Sequence, residues 1–153
     1  MITKLHTKIL FFSVFALLLA GCQIAGQVAP AQLSPVETAE AFYTWYLDYI
    51  QPGSEQMRNP LVDRAYRDSP YLSTSMIEGV DALLESFEQE MGGGFDPFLL
   101  AQDIPQAIEG KAGETQDTVI VRQRFGDTWH ELNVSLVQQE GRWLIDDIRR
   151  VEY

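Results

Sequence analysis

From Ser34 onward the chain divides by period: apolar residues first recur every three to four positions and later every second one. Between Pro35 and Ile50, the residues Val36, Ala39, Tyr43, Tyr46, Leu47 and Ile50 fall at helical spacing, and Phe42, Trp45 and Tyr49 widen the stripe. Ser34 suits the N-cap, Pro35 the first helical position, and Glu37 stands three residues after Ser34 as a capping-box partner. After a Pro52-Gly53 turn, a short helical segment capped by Asn59 is expected near Pro60 to Tyr66. Pro70 breaks the chain again. A longer helix is then expected from about Thr74 to Glu90, with Met76, Ile77, Val80, Leu83, Leu84, Phe87 and Met91 on one face. Glu78, Asp81, Glu85, Glu88 and Glu90 form its solvated face, and Gly92-Gly93-Gly94 stops it.

The period then drops to two. Thr118 to Phe125, Thr128 to Gln138 and Arg142 to Val151 alternate apolar and polar residues and are separated by Gly126-Asp127 and Glu140-Gly141. A weaker strand around Gln106 to Lys111 precedes them, with Gly113 to Asp117 as the turn. Helices followed by an antiparallel meander predict an α+β class, with N-terminal helices packed on a curved antiparallel sheet of about four strands. No internal repeat or low-complexity tract interrupts this order.

The first 22 residues follow a different logic. Lys4 and Lys8 precede an apolar run from Ile9 to Leu19, broken only by Ser13, and small Ala20 and Gly21 lead to Cys22. This is the layout of a secretory signal, and the run is short of the roughly 20 apolar residues that a membrane span needs. Leu19-Ala20-Gly21-Cys22 resembles the lipobox of bacterial lipoproteins. The resemblance implies cleavage before Cys22 and acylation of its thiol and new amino terminus, a durable anchor because stable attachment takes more than one hydrophobic chain. It also accounts for the single cysteine of an exported chain, which leaves packing instead of disulfides to stabilise the fold. The expected organisation is a signal at 1–21, lipidated Cys22 and an uncharged tether at 22–33, and one α+β domain at 34–153. The eleven tether residues from Gln23 to Leu33 reach about 35 to 40 Å at most. The expected location is the bacterial cell envelope, extracytoplasmic: the outer membrane of a diderm cell, or otherwise the outer face of the plasma membrane.

Charge narrows the partners. The formal net charge is −11, from 22 acidic against 11 basic residues, and loss of Lys4 and Lys8 makes it more negative still. Nucleic-acid binding and electrostatic attachment to anionic lipid need a basic patch and are not expected. A cationic partner would be favoured, although solubility alone also accounts for such a charge.

Two stretches are candidates for binding chemistry. Five aromatics fall between Phe42 and Tyr49, so Tyr43, Trp45 and Tyr46 either line a ligand pocket or plug the core of the curved sheet. In the stretch Asp96 to Asp103, the residues Asp96, Gln102 and Asp103 either converge on a ligand or belong to a capped turn, with Asp96 as cap and Pro97 in the first position. The stretch lacks the six to eight oxygen ligands a calcium loop supplies, and no metal or cofactor is expected. His130 is the only histidine after Cys22, which excludes a two-histidine metal centre in the mature chain, and no nucleophile elbow or phosphate-binding glycine loop is present.

The ending Gly141-Arg142-Trp143-Leu144-Ile145-Asp146-Asp147-Ile148, the Phe125-Gly126-Asp127 turn and the leading aromatic helix resemble the cone-shaped nuclear transport factor 2-like superfamily. More narrowly, Phe42-Tyr43-Thr44-Trp45-Tyr46-Leu47 and Asp96-Pro97-Phe98-Leu99-Leu100-Ala101-Gln102-Asp103 resemble an uncharacterised domain family of bacterial lipoproteins, over about Pro35 to Val151. The resemblance implies a fold and a cellular context, but no activity. The leading expectation is a lipid-anchored, noncatalytic binding domain for a small ligand or an envelope protein. Two alternatives stand beside it. One is an isomerase-like or hydrolase-like enzyme in the cone pocket, pairing Asp103 or Asp146 with Tyr46; the other is an acidic inhibitor of a cationic envelope enzyme.

Overall fold

The computed structural model describes residues 32–50, 58–89 and 94–151. Cys22 with its leader, most of the tether, the Pro52-Gly53 turn and the stretch from Glu90 to Gly93 lie outside the described residues. Helix α1 (Pro35–Ile50) begins where its capping box dictates. The Ser34 amide donates to Glu37 Oε2 at 2.7 Å and the Glu37 amide donates to Ser34 Oγ at 3.3 Å, so two otherwise orphaned N–H groups satisfy each other's side chains. Its buried face, Thr38, Ala39, Phe42, Tyr43, Tyr46 and Ile50, repeats at three- and four-residue steps, and this face packs chiefly on the first strand.

The expected helical segment at Pro60 to Tyr66 is instead a series of turns ending in a 3₁₀ turn at Ala65–Asp68. Asn59 does cap its start, with Oδ1 accepting from the Leu61 amide at 2.8 Å. Arg64, at φ 55, interrupts regular helix there. Helix α2 (Thr74–Gln89) starts at Ser73, whose Oγ accepts from the Met76 amide at 3.0 Å.

Strands β1 (Ala107–Ala112), β2 (Thr118–Phe125), β3 (Thr128–Gln139) and β4 (Arg142–Arg150) form one curved antiparallel sheet in the order β1-β2-β3-β4. The β3–β4 turn has positive φ at both Glu140 and Gly141, the combination that matches hairpin twist, whereas the β2–β3 turn needs it only at Gly126. Two helices on this sheet make an α+β fold with a cone-like arrangement, as the change of period predicts.

Alternation in β4 breaks once. Ser135 pairs with Asp147 and Leu136 with Ile145, leaving Asp146 as the extra residue of a bulge. Ile145 and Ile148, three apart, therefore both reach the core. Both sheet edges are engaged as well. The Gly110 amide of β1 donates to Glu40 Oε1 at 3.1 Å, and Leu72 forms a parallel bridge with Ile145 of β4.

Candidate functional site

Three elements meet at the stretch beginning with Asp96. Its backbone closes on itself: the Asp96 amide donates to the Ala101 carbonyl at 2.9 Å, and the Leu100 amide to the Asp96 carbonyl at 2.7 Å, with Leu100 at φ 48. Asp96 Oδ1 accepts from the Phe98 and Leu99 amides at 2.9 and 3.0 Å, the capped turn that its sequence position suggests. Helix α1 then clamps the turn from inside. The Tyr46 hydroxyl donates to Asp96 Oδ2 at 2.7 Å, and the Tyr43 hydroxyl to the Phe98 carbonyl at 2.9 Å. From β4, Arg150 donates to the Leu100 carbonyl at 2.6 Å.

The electrostatics follow from this enclosure. Burial raises the Asp96 carboxyl above its ordinary range, against the opposing pull of the Tyr46, Leu99 and Phe98 hydrogen bonds. Burial, and after it the charge of Asp96, pushes both tyrosine hydroxyls far above the usual phenol range, so they remain proton donors.

Of the candidate binding residues, Tyr43, Tyr46 and Asp96 are thus brought together, and their polar atoms hold the turn. Gln102 and Asp103 emerge exposed at its exit and do not join them. Trp45 is half-buried beside Phe42, Tyr46 and Tyr49, with ring centroids 5.9 to 6.1 Å away. Tyr46 meets neither Asp103 nor Asp146, the carboxylates that the enzyme alternative would pair with it. Asp146, at the bulge, accepts instead from Ser73 Oγ at 2.6 Å and so anchors the start of α2 to the sheet. His130 is exposed with its ring 5.2 Å from that of Phe125, and among the described residues no three His, Cys, Asp or Glu side chains converge as a metal site would require.

The space between α1 and the sheet is filled by side chains. Phe42, Tyr43, Tyr46, Tyr66 and Phe98 are all fully buried, and Phe98 lies 5.2 to 5.7 Å from the rings of Phe42, Tyr46 and Tyr66. Clefts open on the outside instead. One of about 810 Å³ lies on the sheet around Ile120, Asn133 and Arg149. On the same sheet face Glu131 bridges Lys111 and Arg122, at 3.1 and 3.4 Å, and the Arg122 guanidinium sits over the Trp129 ring. Another groove, of about 500 Å³, separates α2 from β4 and is lined by Met76, Gly79, Val80, Leu83, Phe95 and Pro97 among others. Sequence periodicity places these α2 side chains on one face but does not show that a neighbouring element leaves them open.

No family model and no curated protein matches this chain. Two solved structures are similar in fold. A chain of the type VI native effector-immunity complex Tae3-Tai3 from Ralstonia pickettii aligns with a TM-score of 0.59 and 25% identity, covering 80% of this chain and 99% of that one. A protein of unknown function from Bacteroides thetaiotaomicron aligns with a TM-score of 0.53 and 24% identity, covering 75% and 88%.

Proposed function

We propose that this chain is an immunity-type interaction domain, held in the cell envelope by an acylated Cys22, which inhibits a cationic effector protein by binding it. The observation that carries this reading is the likeness to a chain of an effector-immunity complex over 99% of that chain's length. The filled interior supports it, since a core occupied by Phe42, Tyr46 and Phe98 favours recognition through the surface over enclosure of a small ligand. So does the disposition of the polar groups: the hydroxyls of Tyr43 and Tyr46 and both oxygens of Asp96 are engaged in holding the turn. A formal charge of −11 for the full sequence, made more negative by the loss of Lys4 and Lys8 with the leader, would steer the chain toward a basic protein. Acylation at Cys22 with a tether of about 35 to 40 Å at most would station the domain at the membrane surface while leaving it free to reorient.

The test is binding and protection together. Titration against a panel of purified type VI effectors that includes Tae3 should give a stoichiometric complex with at least one member. Expression of the anchored chain should then relieve the growth defect that this effector causes in the envelope. Absence of both, with the chain folded, would reject the immunity reading.

A further inference from the structure

Strand β1 is an edge strand with most of its outer backbone unpaired. The Gly113 amide donates to the Thr118 carbonyl at 2.9 Å, and Glu109 and Lys111 stand opposite Arg122 and Ile120, so the odd-numbered residues turn their N–H and C=O groups toward β2. Ile108, Gly110 and Ala112 turn theirs to the open side. Among the described residues, Ile108 and Ala112 find no hydrogen-bond partner there. Gly110 finds one, a side chain: its amide donates to Glu40 Oε1 at 3.1 Å. A Cβ at Gly110 would lie 2.9 Å from Glu40 Cγ, so glycine is what allows the carboxylate to fold onto the edge. The Glu40 oxygen thus occupies the place that the carbonyl of a fifth strand would take. It is exposed and tied down only there, and it guards the edge without closing it.

The ground beside this edge indicates what kind of strand would fit. A groove of about 320 Å³ separates α1 from β1 and is lined by Glu40, Thr44, Leu47, Asp48 and Ile108, with Tyr43 at its floor. Leu47 and Ile108 are half-buried apolar residues, and Glu40 and Asp48 are exposed. No basic residue lines the groove, and Asp48 has no ion pair among the described residues. Alternating free N–H and C=O groups are satisfied in full only by an extended backbone, and the two carboxylates favour basic side chains on it. A second copy of the chain would set its own Glu40 and Asp48 against these carboxylates.

We infer that the open edge of β1 is the docking site for an extended segment of a basic partner protein, which adds to the sheet as a fifth strand. Its carbonyl replaces Glu40 on the Gly110 amide, and its basic side chains meet Glu40 and Asp48. This rests on the immunity reading and names the surface that would perform it.

The full anchored chain, in detergent, is titrated against the effector panel that includes Tae3. Ala112→Pro removes an edge donor without removing a bond to β2, since proline is tolerated where an edge-strand N–H faces outward. It should weaken effector binding by about 10- to 100-fold through the acceptor it leaves unpaired, with an unchanged circular dichroism spectrum. Glu40→Lys with Asp48→Lys should slow association and flatten its salt dependence. Gly79→Trp, on the groove beside α2 where an added side chain meets nothing within 4 Å, should bind as the unmodified chain does. Amide hydrogen exchange reads the contact directly. The Ile108 and Ala112 amides should exchange rapidly in the free chain and slow at least 10-fold in the complex, while Glu109 and Lys111, already bonded to β2, should be slow in both. Full binding by Ala112→Pro, with the Ile108 and Ala112 amides still rapid in the complex, would overturn the edge assignment and leave the immunity reading intact. Failure of the unmodified chain to bind any effector would overturn both. Concentration-dependent protection of the same amides without effector would make a second copy the occupant and also overturn the proposal.

Discussion

The Tyr46 hydroxyl donates a 2.7 Å hydrogen bond to Asp96 Oδ2, joining α1 to the following turn across 50 residues of sequence. A bond to a charged acceptor in a partly buried place matters chiefly through what its loss leaves behind. Tyr46→Phe should therefore destabilise the fold by about 1 to 3 kcal/mol in urea titration, with the carboxylate deprived of its donor. The cost should shrink when Asp96→Asn is already present. Strict additivity of the two substitutions would show that the bond carries no coupling.

The same carboxylate sets a pH dependence of unusual sign. Because burial raises its native pKa, the folded chain keeps a proton that the unfolded chain has released across the interval between the two values. Its contribution to stability is therefore greatest below the unfolded carboxylate range and is lost as pH rises through the native value. Asp96→Asn keeps an oxygen for the Phe98 and Leu99 amides and should remove this decline. Urea midpoints from about pH 4 to 7 measure it, and an unaltered slope in the variant would assign the titration to another group.

Burial predicts unequal roles for two aromatics that look equivalent in sequence. Phe98 is 0% exposed among three other rings, so Phe98→Ala should cost about 3 to 5 kcal/mol. Trp143 is half-buried at the margin of the core, and its replacement by alanine should cost less than this range. Thermal and urea unfolding of both variants compare them directly. Equal losses would place Trp143 among the central packing residues.

The proposed anchor has its own test. Cys22→Ala should abolish incorporation of a labelled lipid precursor and release the chain from the membrane fraction. Continued labelling would remove the lipoprotein assignment without touching the fold.

Sequence alone determined the elements whose causes are local. A capping box needs only Ser34 and Glu37, the β3–β4 turn is marked by Gly141, which takes positive φ without a side-chain clash, and strand period is set by the pleat. These interactions span a few residues, so spacing reveals them. The segment from Pro60 was less legible because Arg64 leaves the helical region where the pattern by itself predicts a continuing helix.

Tertiary structure decided the partners. Nothing near Asp96 in sequence says that Tyr46 takes one of its oxygens, and nothing near Asp146 says that Ser73, 73 residues away, binds it. The adjacent acids Asp146 and Asp147 do mark a break in alternation, but only pairing with β3 makes that break a bulge. Periodicity likewise gives α1 and α2 an apolar face each, and packing closes one and leaves the other half open. A period records which side chains share a face; what covers that face depends on chain segments far away in sequence, brought there by the registration and curvature of the sheet.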